Sequence, residues 1–131
     1  FVVIREEEIK KELSETLTES NPAKEAMTQA PVLIVGCVEK GLSGFSDGEP
    51  FDEKDWAMFD TGLAMQNLML AARALNLGTV PIGAFDDEKV RDILDVPEDI
   101  EVIIMTPLGY TDSNPESSRK DIDNFIVEDK F

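Results

Sequence analysis

The apolar positions of this 131-residue chain fall into dense runs and periodic ones. Phe1–Ile4 (FVVI), Pro31–Val38 (PVLIVGCV) and Ile100–Leu108 (IEVIIMTPL) are short and rich in β-branched residues, and read as strands; Pro31–Val38 reads as one covered on both faces. Pro107, late in the third run, implies a sheet edge or the strand's end. Glu6–Leu17 reads as a helix, because Ile9, Leu13 and Leu17 recur every four residues. Its Glu6, Glu7 and Glu8 sit where a helix N-terminus favours negative charge, which makes them solvated charge rather than a cation site. Asn21 caps a second short helix, with Pro22 at its first position and Met27 at its end. Asp55–Leu77 predicts a long third helix, about 34 Å. It is apolar on nearly every face, so it is expected at the buried centre of the domain.

Gly78 follows that helix as its terminator, and Thr79–Ile82 reads as a short strand. Asp86 caps a last helix, Asp87–Leu94, that turns Val90, Ile93 and Leu94 inward. Glu39–Glu53 is a loop with three glycines and a proline, long enough to be functional; a mobile lid over a pocket is its expected role. Pro97-Glu98-Asp99 is a turn, Thr111–Ser118 a polar loop, and Phe125–Val127 a short apolar segment near the end. No repeat or low-complexity tract interrupts the chain. The alternation of strands and helices predicts one domain over 1–131 of α+β class, a sheet sandwiched by helices. A flavodoxin-like parallel sheet is the alternative from pattern alone. The irregular strand spacing and the apolarity of the central helix weigh against it.

Charge and composition narrow the chemistry. The chain carries 28 acidic and 12 basic residues, a formal charge of -16, so no general affinity for nucleic acid or anionic lipid is expected. It has no histidine, which removes Ser-His-Asp and Cys-His catalysis and His-ligated metals. Cys37 is the single cysteine and lies in an apolar run, where it reads as a small core residue rather than a nucleophile. No metal site is expected. No apolar stretch reaches the ~20 residues a membrane span needs, and no signal peptide is visible, so the cytoplasm is the expected compartment. The chain opens at Phe1 inside an apolar run and reads as one that lacks its natural start.

The order of residues from Asp60 to Asp86 (DTGLAMQNLMLAARALNLGTVPIGAFD), then PLGY (Pro107–Tyr110), then SSRKDIDNFIVEDKF (Ser117–Phe131), resembles the nitroreductase family of FMN-dependent oxidoreductases. Asp60, Gly62, Ala64, Gln66, Asn67, Leu68, Leu70, Ala71, Ala72, Leu75, Leu77, Gly78 and Thr79 fit the family pattern DxGxAxQNLxLAAxxLGLGT. The resemblance implies a mixed, mainly antiparallel sheet flanked by helices, around a long buried central helix. It implies FMN bound without a covalent bond at a homodimer interface, and hydride passed from NADH or NADPH through FMN to a small acceptor such as a nitroaromatic or quinone. The flavin carries that chemistry, so no side chain is named as catalytic. Pro81, Ile82, Gly83 and Ala84 correspond to the segment along the isoalloxazine ring, where glycine and alanine let the backbone approach closely. Arg119 corresponds to the residue that pairs with the FMN phosphate, with Lys120 beside it.

The resemblance further implies a C-terminal tail that embraces the dimer partner, anchored by Phe125, Ile126, Val127 and Phe131. Gln66 and Asn67 read as structural or dimer-facing. Trp56 and Phe59 read as core packing rather than an acceptor platform. The family's Arg-Ser phosphate motif, a helix and a flavin-contacting Asn precede its counterpart of FVVI and are not in this sequence. A second hypothesis follows from that: a truncated, non-catalytic member that dimerises or binds flavin without turnover.

Overall fold

Two long apolar strands, hydrogen-bonded side by side, organise the chain. The computed structural model describes residues 1–54, 56–113 and 119–130. In chain order its elements are β1 (Val2–Ile4), α1 (Glu7–Ser14), α2 (Ala23–Gln29), β2 (Val32–Glu39), β3 (Phe45–Ser46), β4 (Glu49–Pro50), α3 (Trp56–Ala74), β5 (Gly78–Thr79), α4 (Asp87–Ile93), β6 (Ile100–Gly109) and a 3-10 turn, Ile122–Asn124. One sheet has the order β1-β2-β6-β5, with every pairing among the described strands antiparallel. That excludes the parallel, flavodoxin-like alternative.

The alternation of side chains along β2 explains the layers. Leu33 and Val35 point to one face and pack with Leu13 and Leu17 from the α1 region, Met27 of α2, Val90 of α4, and Val102 and Met105 of β6. The intervening Gly36 faces α3: a Cβ there would come within 2.8 Å of Ile104 Cγ2 and 3.6 Å of Met65 Sδ. β2 is therefore apolar on both faces because helices cover both, as its sequence predicts. Lys10 is the exception in this core. It is 1% exposed, and its Nζ donates to Ala30 O at 2.7 Å and to Glu7 Oε1 at 3.1 Å, tying α1 to the end of α2. Glu7 is thus an ion-pair partner as well as N-terminal charge. Asn21 Oδ1 accepts from Ala23 N at 3.0 Å, the capping role its sequence position predicts.

The structure corrects four expectations. The central helix is long, but this chain buries only one of its faces, through Thr61, Met65 and Ala72. Phe59, Leu63 and Leu70 are 56%, 52% and 59% exposed; at 100° per residue they lie on the face opposite Met65. The start assigned to this helix, Asp55, lies outside the described residues. Its end is Ala74, and the terminator is Asn76 rather than Gly78. Asn76 has a φ of 58°, its N–H bonds Arg73 O, and Leu77 N bonds Ala72 O at 2.9 Å, the paired closing bonds of a Schellman motif. Gly78 is instead a strand residue opposite Gly109.

Pro107 marks neither an edge nor an end, since β6 runs through it with β2 and β5 on either side. Met105 exchanges backbone bonds with Ile82 on the β5 side, so two residues on Pro107 turns its missing N–H to that same side. There the ladder is already interrupted between Thr79 and the Ile82 bridge. The Glu39–Glu53 segment carries the β3–β4 hairpin. Asp47 and Gly48 take φ of 54° and 83° at its tip, the positive angles a two-residue hairpin turn demands.

Candidate functional site

The Pro81–Ala84 loop is fixed at one point and free elsewhere. Ile82 is 4% exposed. Its N–H donates to Met105 O at 2.8 Å and its carbonyl accepts from Met105 N at 2.9 Å, so the root of the loop is locked to the central strand β6. Pro81, Gly83 and Ala84 are exposed. The Gly83 and Ala84 amides have no hydrogen-bond partner among the described residues. A Cβ placed on Gly83 would meet nothing within 4 Å. Two adjacent backbone donors therefore face open space from a rigid base. Exposed amides of this kind accept a flat ligand with hydrogen-bond acceptors along one edge.

Beyond the loop, Asp86 N donates to Thr16 O at 2.9 Å, and Asp86 caps α4 through Lys89 N at 3.2 Å. The Lys89 side chain, then its backbone N–H, holds the Asp86 carboxyl below its ordinary range. The loop is thus anchored on both sides, at Ile82 and at Asp86.

Arg119 and Lys120 are exposed and form no ion pair or hydrogen bond with any described residue. The structure does not bring them into contact with the Pro81–Ala84 loop. They stand uncommitted, in contrast to Lys10, Lys24, Lys40, Lys54, Lys89 and Arg91, each of which has a protein partner. Phe125, Ile126 and Val127 are 65%, 53% and 52% exposed, without cover from this chain; Phe131 lies outside the described residues.

Trp56 and Phe59 are not core residues. Trp56 is half-buried, donates Nε1–H to Asp52 Oδ1 at 2.7 Å, and lies 5.7 Å from the rings of both Phe51 and Phe59. Gly44, at φ 80°, packs its backbone against the Trp56 ring, which fastens the hairpin segment to the start of α3. Gln66 and Asn67 are exposed on α3, which meets their need for hydrogen-bonding partners with solvent. Cys37 is half-buried, and burial pushes its thiol above the ordinary value against a smaller opposing effect of the N-terminal ammonium, consistent with an unreactive packing residue.

Sequence reasoning missed a cleft of about 810 Å³ between the end of α2, the end of α3 and the β5–β6 pair. Arg73, Thr79, Tyr110 and Thr111 line it, and Val80 is where it meets the flavin-type loop. Gly78 and Gly109 form part of its wall. A Cβ on Gly78 would come 2.5 Å from Thr111 Cγ2, and one on Gly109 would come 2.7 Å from Pro31 Cδ. No periodicity signals such a cleft, because it is built from element ends. The hairpin tip was legible: Asp47-Gly48 is a strong short-range turn signal. Among the described residues, no helix is long and apolar enough to cross a membrane.

Residues 1–110 match the Nitroreductase family. A relative from Archaeoglobus fulgidus, named provisionally as an NADH dehydrogenase/NAD(P)H nitroreductase, is 33% identical over 135 aligned positions that cover 100% of this chain and 67% of the relative. An NADPH-flavin oxidoreductase from Vibrio harveyi is 39% identical over 59 residues, 44% of this chain and 25% of that protein. The crystal structure of a nitroreductase family protein from Clostridium difficile 630 superposes with a TM-score of 0.77 at 26% identity, over 99% of this chain and 73% of that one. The chain spans about two thirds or less of the length of the curated relatives it matches. A family pattern matched from β1 through the end of β6, on an antiparallel sheet with a long helix across one face, makes this chain a member of the nitroreductase family.

Proposed function

We propose that this chain is part of an FMN-dependent NAD(P)H oxidoreductase of the nitroreductase type, working as a homodimer in the cytoplasm. The observation that carries the reading is the pair of unpartnered amides at Gly83 and Ala84, held by the double backbone bond of Ile82 to Met105. Pro81, Ile82, Gly83 and Ala84 would lie along the flavin ring, with the open side of Gly83 leaving room for its plane. Arg119, helped by Lys120, would hold the phosphate, for which a guanidinium offers two parallel donors. Bound FMN supplies hydride transfer between NADH or NADPH and a nitroaromatic, quinone or similar acceptor.

The contributions of the chain itself are positional. Ile82 and Asp86 fix the loop ends, so the two amides cost no reorganisation when a ligand arrives. The exposed face of α3 and the apolar tail residues Phe125–Val127 supply surface for the second copy. Fluorescence titration with FMN tests the reading. Saturable quenching is expected, and Gly83→Val should abolish it without lowering the melting temperature, since the new side chain meets no protein atom. Absence of saturable binding by the dimer, or equal affinity in Gly83→Val, would overturn it.

A further inference from the structure

The cleft beyond Val80 differs in charge from the rest of the molecule. Acidic residues make up 28 of 131 positions, a frequency at which fifteen positions would hold about three. None of the fifteen described residues lining the cleft is Asp or Glu, and Arg73 is the one charged residue among them. The other groove on the surface shows the contrast. Asp87, Glu98 and Glu101 line it, and its cations are committed: Arg91 donates to Pro97 O at 2.9 Å and to Ile100 O, and Lys40 to Glu98 O at 2.9 Å. Arg73 is exposed and has no partner among the described residues. Its place in the last turn of α3 accounts for a cation there. It does not account for the absence of carboxylates from the opposite wall, contributed by α2 and by β6 with the segment after it.

The carbonyls at the end of α3 that would repel an anion are closed by the Asn76 and Leu77 amides. The side-chain-free backbone at Gly78 and Gly109 makes a flat wall, with Met69 and Val80 as apolar lining. Tyr110, 86% exposed, stands at the cleft as a free ring. The volume, about 810 Å³, lies in the range of small-molecule sites.

We propose that this cleft binds an organic phosphate carrying a flat ring, of nucleoside-monophosphate type, with the Arg73 guanidinium on the phosphate and Tyr110 against the base. The proposal does not depend on the flavin loop, whose residues 81–84 are not among those lining the cleft. Adenylate chemistry reaches a protein as the free nucleotide or as one half of a nicotinamide dinucleotide, and the test separates the two.

Amide NMR shifts of the ¹⁵N-labelled chain, titrated with AMP, adenosine, inorganic phosphate and NADH, read the site directly. AMP should shift Thr79, Val80, Gly109 and Thr111 saturably, with adenosine and phosphate each at least tenfold weaker. Arg73→Gln should weaken AMP at least tenfold, and Arg119→Gln should leave it unchanged. NADH reproducing the AMP shifts assigns the cleft to the dinucleotide, and NADH leaving them untouched assigns it to the free nucleotide. No shifts at millimolar AMP, wild-type affinity in Arg73→Gln, or shifts confined to Pro81–Ala84 and Arg119 would each overturn the proposal. FMN titration of the same samples reports separately on the flavin loop.

Discussion

Leu63→Glu separates assembly from folding. Leu63 is 52% exposed on the α3 face that this chain leaves open, between Phe59 and Leu70. Full burial of a leucine side chain stabilises by ~1.5–3 kcal/mol, so the half still exposed is worth roughly 0.8–1.5 kcal/mol when a second copy covers it. In a two-fold interface each residue occurs twice, which doubles the loss to about 1.5–3 kcal/mol. Two carboxylates forced into the same contact add their desolvation, on the order of several kcal/mol together. The dimer dissociation constant should therefore rise at least ~100-fold. The isolated subunit should barely respond, within about 0.5 kcal/mol, because the site is solvent-facing and glutamate is a good helix former. Sedimentation equilibrium at neutral pH measures the first effect, and thermal unfolding at dilution measures the second. A dissociation constant unchanged from wild type would refute the assignment of this face to the partner. A collapse in stability of the diluted subunit would show that Leu63 is buried within it.

Four further outcomes are expected. Arg119→Ala should weaken FMN binding by ~1.5–3 kcal/mol, the value of a charge-assisted hydrogen bond, with unaltered far-UV circular dichroism; unchanged affinity removes Arg119 from the site. Gly109→Ala places a Cβ 2.7 Å from Pro31 Cδ and should destabilise the fold by ~1–3 kcal/mol in urea unfolding, with a wild-type midpoint showing that the ring moves aside at no cost. The depressed Asp86 carboxyl contributes stability that is present above its ordinary range and lost as pH falls through the depressed value. Asp86→Ala should thus lower the melting temperature at neutral pH and lose most of that effect near about pH 2; a constant difference across pH would leave only the neutral part of the cap. The Cys37 thiol, raised by burial, should react with a disulfide reagent at pH 8 at least about tenfold more slowly than in the unfolded chain, and equal rates would place it in solvent.

Much of the fold was written locally. The three dense runs became β1, β2 and β6, and the four-residue spacing of Ile9, Leu13 and Leu17 located α1 with Leu13 and Leu17 buried. Asp86 caps α4 as its position predicts. The misses share one physical origin: a local signal met a non-local context. Gly78 has the composition of a helix terminator, yet Asn76 reaches the left-handed conformation two residues earlier, and the glycine is needed because Thr111 leaves no room for a Cβ. Pro107 has the composition of a strand end, yet a gap in the neighbouring ladder receives its missing donor. The loop residues Pro81–Ala84 could be named from the family pattern, and their open amides agree with it. The cleft around Arg73 could not be named, because its walls come from residues some 80 positions apart that only the fold brings together.

The α3 helix shows what an apolar pattern does and does not encode. Helical periodicity reports every face that must leave water, and it carries no label for the chain that covers each face. Thr61, Met65 and Ala72 meet the sheet of the same chain, while Phe59, Leu63 and Leu70, half a turn away, meet nothing within it. A helix built only to cover a sheet would carry charge on its outer face. Here a chain with 28 acidic residues places a single one, Asp60, in the 19-residue α3. The acidity is excluded from this face as it is excluded from the Arg73 cleft, and for the same reason. Carboxylates are absent where the surface is expected to lose its water to a partner, a second copy on α3 and a phosphate ester in the cleft. The two exclusions are separable: Leu63→Glu should leave AMP binding intact, and Arg73→Gln should leave the dimer intact.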